Sequence, residues 1–275
     1  MSGHSMLEAS PGVEAWMRHI AGVEKLNVPE GLVWATEAVE LNKERQHVLS
    51  TFGDKVFPAL VGFVDMRGFS RRSQGKSPAE VQGIAGPFIT AVVDTAKRHQ
   101  CIIDKTIGDE VMIIMPLFGA DAVGSDAGLE SRNGLVMRLS SLVADLALAA
   151  NALRPSAHFS SGFAMGRLVL GQVGSDGYSE WTCYGTAVNV AKRIQAEKPA
   201  GAPDTSNLLA VGAIDADEPE WAGELEAWKN LHDQLGPLRL LSPTIQTKEL
   251  KGVGQTTFLA SEVAPHDWYL RPATV

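Results

Sequence analysis

The feature that most constrains this chain is the run Ala59-Leu60-Val61-Gly62-Phe63-Val64, closed by the carboxylate of Asp65. Strand-length apolar runs without alternation read as strands buried on both faces, because a half-exposed strand would carry a polar residue at every second position. A strand of this kind must be covered by further layers, so helices packed on a sheet are expected, with Asp65 at the strand's exit.

The flanking sequence supplies those layers. Ser77-Pro78-Ala79-Glu80 offers an N-cap, a proline at the first helical position and a glutamate at the third, opening a helix toward His99. Pro87 is expected to kink or interrupt it. Residues 101–106 and 111–116 read as two apolar strands joined by Ile107-Gly108-Asp109-Glu110, the composition of a tight hairpin with Asp109 at its tip. A helix over 129–153 follows, with Val136, Leu139, Val143, Leu146 and Ala150 on its core stripe and Pro155 as its stop. Strands are predicted at 158–164 and 167–173, separated by Met165-Gly166, then a helix at 188–194. Two more strands at 247–250 and 256–260 are linked by Lys251-Gly252-Val253-Gly254. The mixed stretch 200–236 reads as an insertion. Upstream, Val13, Trp16, Met17, Ile20 and Ala21 recur at helical spacing, and 32–49 predicts a second helix. The expected organisation is an N-terminal helical extension over 1–54, a main domain over 55–265 and a tail over 266–275. The main domain is expected to be α+β, an α/β sandwich in which a mostly antiparallel central sheet is flanked by helices.

Composition narrows the function. With 32 acidic against 24 basic side chains the net charge is -8, which argues against a protein that coats a phosphate backbone, and nucleic acid is not an expected partner. The two cysteines, Cys101 and Cys183, lie in apolar or aromatic stretches and read as buried hydrophobes in a reducing compartment. No secretory signal is recognisable at the start, and the strongest apolar runs are about half the roughly 20 residues a spanning helix needs. A soluble, cytoplasmic protein with no membrane partner is expected.

Asp65 and Asp109 carry the chemistry. Both terminate apolar strands that can be neighbours in one sheet, and adjacent carboxylates repel unless protonated or bridged by a cation, for which a hard divalent ion is the usual remedy at a phosphate site. Taken singly, each aspartate reads more often as a turn or cap residue than as a metal ligand.

The wider context resolves this by resemblance. Phe63-Val64-Asp65-Met66-Arg67-Gly68-Phe69-Ser70 resembles the first metal-binding strand and loop of the class III adenylate and guanylate cyclases. Asp104-Lys105-Thr106-Ile107-Gly108-Asp109-Glu110 is similar to that family's second metal hairpin, Gly185-Thr186-Ala187-Val188-Asn189-Val190-Ala191-Lys192-Arg193 to its catalytic helix, and Lys248 to Gly254 to its terminal strand and triphosphate lysine. The resemblance implies a ferredoxin-like cyclase core that converts a nucleoside triphosphate to its 3′,5′-cyclic nucleotide and pyrophosphate. It implies two divalent cations, Mn2+ or Mg2+, held by Asp65, Asp109 and the main chain of Met66. It also implies Asn189 and Arg193 as catalytic residues, Lys105 and Thr182 as readers of the base, and Lys251 as a clamp on the terminal phosphates. A homodimer with sites at the subunit interface follows from the same resemblance.

The lysine and threonine pair implies ATP. UTP or CTP is the alternative, in the manner of the bacterial pyrimidine cyclases that make cUMP or cCMP in antiphage signalling, and GTP comes last. Thr186 departs from the acidic or amide residue often found there, and Trp181 and Tyr184 make the base region unusually aromatic. A catalytically inactive nucleotide-binding or dimerisation module is the non-enzymatic alternative, although Asp65, Asp109 and Arg193 are all retained. A diguanylate cyclase is disfavoured because Ile107 precedes Gly108, and a P-loop ATPase because no G-x-x-x-x-G-K-[ST] stretch occurs.

Overall fold

The computed structural model describes residues 53–116, 132–175, 178–212 and 238–265. The helices expected in 1–54, the first residues of the helix expected from 129, the stretch 213–237 and the tail 266–275 lie outside the described residues, as does the side chain of Val136.

Strand β1 (Val56–Met66) forms the middle of an eight-stranded sheet. On one side it pairs antiparallel with β3 (Glu110–Pro116), which pairs with β2 (Ile102–Ile107) at the edge. On the other it pairs antiparallel with β4 (Phe159–Ser175). Beyond β4 come β6 (Asn207–Gly212), β8 (Gly254–Pro265) and β7 (Leu238–Leu250), while β5 (Tyr178–Tyr184) pairs with the far half of β4. Only β4 and β6 run parallel among these pairings, so the sheet is mostly antiparallel, as expected.

Both faces of β1 are covered, which is why its sequence does not alternate. Leu60 and Val64 face α2 (Pro78–Arg98) and α3 (Arg132–Ala152), where Phe88, Val92, Leu139, Val143 and Leu146 are buried with them. Phe57, Ala59, Val61 and Phe63 point the other way, into a second core closed by Ala187, Val190, Ala191 and Ile194 of α4 (Thr186–Ile194). A short α1 (Phe69–Ser73) follows β1 directly. Cys101 and Cys183 are buried and unbridged, as their apolar context implied.

The helix start at Ser77 forms the expected capping box: Glu80 Oε2 accepts from Ser77 N at 2.8 Å, and Ser77 Oγ accepts from Glu80 N at 3.4 Å. Three expectations need correction. The helix α2 runs through Pro87 without interruption, its buried face carrying Ala85 and Phe88 on either side. The strands expected at 158–164 and 167–173 are one strand, β4. The start of the supposed insertion over 200–236 contains β6, whose six residues are all buried between β4 and β8. The terminal hairpin is also longer than its sequence signal, with β7 beginning at Leu238.

α4 seats closely on the sheet because glycine lies beneath it. A Cβ on Gly162 of β4 would fall 2.4 Å from Gln195 N and 2.5 Å from Ala191 O, so only a glycine admits the helix backbone at this distance. That contact fixes the exposed side of α4, with Asn189 and Arg193 one turn apart on it.

Candidate active site

Asp65 and Asp109 meet where β1 leaves the sheet. The β1–β3 register sets Asp65 opposite Glu110, so the residue one step before, Asp109, occupies the hairpin tip beside the end of β1. Gly108, with φ 65, takes the left-handed conformation that this two-residue turn needs. The two carboxyl groups are within hydrogen-bonding reach, and the Met66 amide also donates to Asp109.

Burial and then the neighbouring Asp109 charge push the Asp65 carboxyl up to about 6, and burial raises Asp109 as well. Asp109 thus disfavours ionisation of Asp65, whereas the hydrogen bond with Asp65 favours the ionised form of Asp109 and offsets part of the effect of burial. Gln195 donates to Asp65, and Lys192 lies close enough to lower its pKa in part. Among the described residues no group of three or more His, Cys, Asp and Glu side chains is placed to hold a metal ion. What the cleft offers a cation is the pair Asp65 and Asp109 and the main chain at Met66, the set named from the sequence.

The cleft around them has a volume of about 470 Å³ and is also lined by Arg67, Arg71 and Lys198, with Asp204. Arg67 donates to Pro203 O at 2.9 Å and to Asp204 Oδ1 at 3.3 Å, while Arg71 reaches Asp204 Oδ2 at 3.5 Å. Two carboxylates and a group of cations lining one cleft suit a polyanion carried with divalent ions. Sequence reasoning missed these cations. Arg67 and Arg71 were within reach of it, because they lie in the basic loop that follows Asp65 within six residues, whereas Lys198 enters from a separate segment and leaves no local signal.

Behind the aspartates, Glu110 is buried and forms an ion pair with Lys192 of α4, whose ammonium also lies 5.5 Å from the centre of the Phe63 ring. This links the hairpin bearing Asp109 to the helix bearing Asn189 and Arg193.

The remaining sequence-predicted residues lie elsewhere. Lys105 Nζ donates to Thr182 Oγ1 at 3.0 Å, bringing the two expected base readers together between β2 and β5. The same ammonium donates to Glu180 Oε1 at 2.8 Å, a partner the sequence reading did not name. Asn189 and Arg193 are exposed on α4, and Lys251 is exposed in the turn between β7 and β8. None of Lys105, Thr182, Asn189, Arg193 or Lys251 lines the cleft of Asp65 and Asp109.

Solved structures share this architecture. The guanylyl cyclase Cya2 superposes with a TM-score of 0.55 at 19% identity, covering 80% of this chain and 98% of that one. The adenylyl cyclase CyaB from P. aeruginosa gives 0.53 at 16% identity, covering 79% and 98%. The guanylate cyclase domain of RhGC from Catenaria anguillulae, in complex with GTP, gives 0.52 at 16%, covering 77% and 100%. The chain thus has the fold of the class III adenylyl and guanylyl cyclase catalytic domains.

In sequence, it is 30% identical over 216 residues to an uncharacterized protein of Mycobacterium tuberculosis, covering 76% of this chain and 33% of the relative. A second uncharacterized protein of that species is 26% identical over 203 residues, covering 72% and 35%. The chain spans about a third of the length of the curated relatives it matches. No family model matches the sequence. Among the described residues no helix is long and apolar enough to cross a membrane.

Proposed function

We propose that the chain is a class III nucleotidyl cyclase that converts a nucleoside triphosphate, ATP foremost, to its 3′,5′-cyclic nucleotide and pyrophosphate. The observation that carries this reading is the convergence of Asp65 and Asp109 in a cleft that Arg67, Arg71 and Lys198 also line. The fold shared with adenylyl and guanylyl cyclases supports it.

Two divalent cations fit the aspartate pair, because two carboxylates that resist joint ionisation are relieved by positive charge between them. Bound there, such ions acidify a ribose 3′-hydroxyl and neutralise a leaving pyrophosphate. Asp65, Asp109 and the main chain at Met66 hold and orient them. Arg67, Arg71 and Lys198, which line the same cleft, meet phosphate oxygens. Asn189 orients the ribose and Arg193, one turn on, stabilises charge on the α-phosphate. Lys251 holds the terminal phosphates, and Lys105 and Thr182 read the base, the ammonium donating to a ring acceptor.

Asn189, Arg193, Lys105, Thr182 and Lys251 stand outside the aspartate cleft of their own chain, so a second copy must bring them to it. The functional unit is a homodimer with two interfacial sites. The domain is assigned to 55–265, between the extension 1–54 and the tail 266–275.

The test is direct. With Mn2+ and each of the four common triphosphates in turn, mass spectrometry should detect a cyclic nucleotide and pyrophosphate, and Asp65→Ala and Asp109→Ala should reduce turnover at least a thousandfold in folded protein. A folded dimer that turns over none of the four would instead establish a binding module.

A further inference from the structure

The C-terminal end of α4 sits over a row of polar side chains that crosses from β3 through β1 to β4. Asp65 of β1 stands opposite Glu110 of β3 on one side and opposite Ser160 of β4 on the other. Residues paired across a sheet face the same way, and side chains two apart on a strand share a face. Phe63 and Met112, two residues from Asp65 and Glu110 on their strands, are buried in the core that α4 closes, so the row continues that face of the sheet. Lys192 of α4 and Gln195 at its C-terminal cap, three residues apart, lie on one side of the helix above it. Gln195 Nε2 donates to Ser160 Oγ at 2.5 Å, Gln195 also donates to Asp65, and Lys192 forms its ion pair with Glu110.

Asp65, Asp109 and Glu110 are thus gathered at one strand end, and the charge of Glu110 is close enough to act on both aspartates. The Glu110 side chain is 5% exposed, so solvent does little to screen it, and like charges directly opposite one another destabilise a strand pair. Lys192 relieves that conflict. Its side chain is 48% exposed, passes the Phe63 ring with its ammonium 5.5 Å from the ring centre, and ends on Glu110. Glu110 and Lys192 together carry no net charge. With Glu110 held by the helix, the three carboxyl groups do not form a set placed to hold one metal ion.

We propose that Lys192 is a positioning residue that withholds Glu110 from the cation site, so that the site offers cations two carboxylates and not three. This rests on the reading of Asp65 and Asp109 as the cation pair. Mg2+ at phosphate sites is usually held by one or two carboxylates together with the substrate's own phosphates, because each further carboxylate takes a position that a phosphate oxygen would fill. Two carboxylates leave the nucleotide to complete the site, whereas a third competes with it.

The experiment measures Mn2+ binding to the full chain by calorimetry without nucleotide, and kcat with the preferred triphosphate. The proteins compared are wild type, Lys192→Met, Lys192→Arg, Glu110→Gln and the double variant Lys192→Met with Glu110→Gln. Lys192→Met frees a carboxylate beside the aspartates and should tighten Mn2+ binding about tenfold while turnover falls, a split that a loosened fold does not produce. Glu110→Gln leaves an unpaired ammonium there and should weaken binding by about the same factor. The double variant, with neither charge, should return to within about threefold of wild type, as should Lys192→Arg, which keeps the pair. If Lys192→Met does not fold, Glu110→Gln and the double variant still decide, because affinity restored in the double requires the two charges to act against each other at the site. Weaker binding in both single variants, unchanged binding in both, or a double variant no better than Glu110→Gln would overturn the inference while the cyclase reading stands. If wild type binds no Mn2+, or Asp65→Ala binds it equally well, the cation pair itself is wrong and this assignment falls with it.

Discussion

At the scale of single residues, the site is defined by an electrostatic conflict that the fold creates and leaves in place. Asp65 has an ordinary carboxylate pKa of 3.8 when exposed and is pushed up to about 6 here, by burial first and by Asp109 second. A carboxyl raised on folding contributes fully below 3.8, where both states hold the proton. Its contribution is lost as pH rises through about 6, because the folded state must then ionise against its neighbours. Asp65→Asn should therefore stabilise metal-free protein at pH 8 by about 1 kcal/mol, once solvent screening of this half-buried group is allowed for, and so raise its melting temperature. The gain should vanish near pH 4. Added Mn2+ should stabilise wild type and leave the variant almost unmoved, since the ion relieves the strain that the amide has already removed. A pH-independent effect of the substitution, read by thermal melts at pH 4, 6 and 8, would show that the two carboxyl groups do not oppose one another. Both aspartates were legible in the sequence because each closes an apolar strand, whereas the cation Lys198 and Glu180, which accepts from Lys105, were not. Their relation to the site depends on which segments meet, and nothing local records that.

At the scale of elements, glycine explains both what the sequence revealed and where it misled. Met165-Gly166 reads as a break between two strands, yet β4 continues through it, because Gly166 is there for α4: a Cβ at that position would lie 2.7 Å from Ala187 Cβ. A glycine that makes room and a glycine that makes a turn look alike in one dimension. β6 was missed for a related reason, since its six residues owe their strand conformation to β4 and β8, far away along the chain. Pro87 is accommodated because the core holds α2 on both sides of it, through Ala85 and Phe88 on one and Val92 and Ala96 further on. The capping box at Ser77 and the tip of the β2–β3 hairpin, by contrast, are local devices and were read correctly. Gly162 gives the test at this scale. Gly162→Ala places a methyl group against the backbone of Ala191 and Gln195, neither of which is a flexible side-chain end, so α4 must lift from the sheet. The expected cost is about 2 kcal/mol of stability. Activity should fall further than stability does, because Asn189 and Arg193 move with the helix. Urea unfolding and turnover measured on the same sample check both, and full activity in a variant of unchanged stability would show that the close seating of α4 is not needed.

At the scale of the whole molecule, the two groups of candidate residues lie apart within one chain, and this dictates how activity must depend on assembly. The aspartate cleft is lined by residues of β1, α1, the β2–β3 turn, β4, β6 and the segment before β6, and by none of Asn189, Arg193, Lys105, Thr182 or Lys251. If each site takes its aspartates from one subunit and its arginine from the other, Asp65→Ala and Arg193→Ala homodimers are each dead at both sites. In a mixed dimer, one site collects both lesions and the other collects none. Equimolar mixing with subunit exchange yields half mixed dimers, each with one intact site, so about a quarter of wild-type turnover should return. A site built within one chain behaves differently, because every chain in the mixture then carries a lesion in its own site and no recovery is possible. Cyclic nucleotide formation after co-refolding the two variants, compared with each alone, separates these architectures. If the proposed sites form between subunits, recovery should also depend on protein concentration, falling at dilutions where the dimer dissociates, because the cleft of a lone subunit is not lined by its own Lys105, Thr182, Asn189, Arg193 or Lys251.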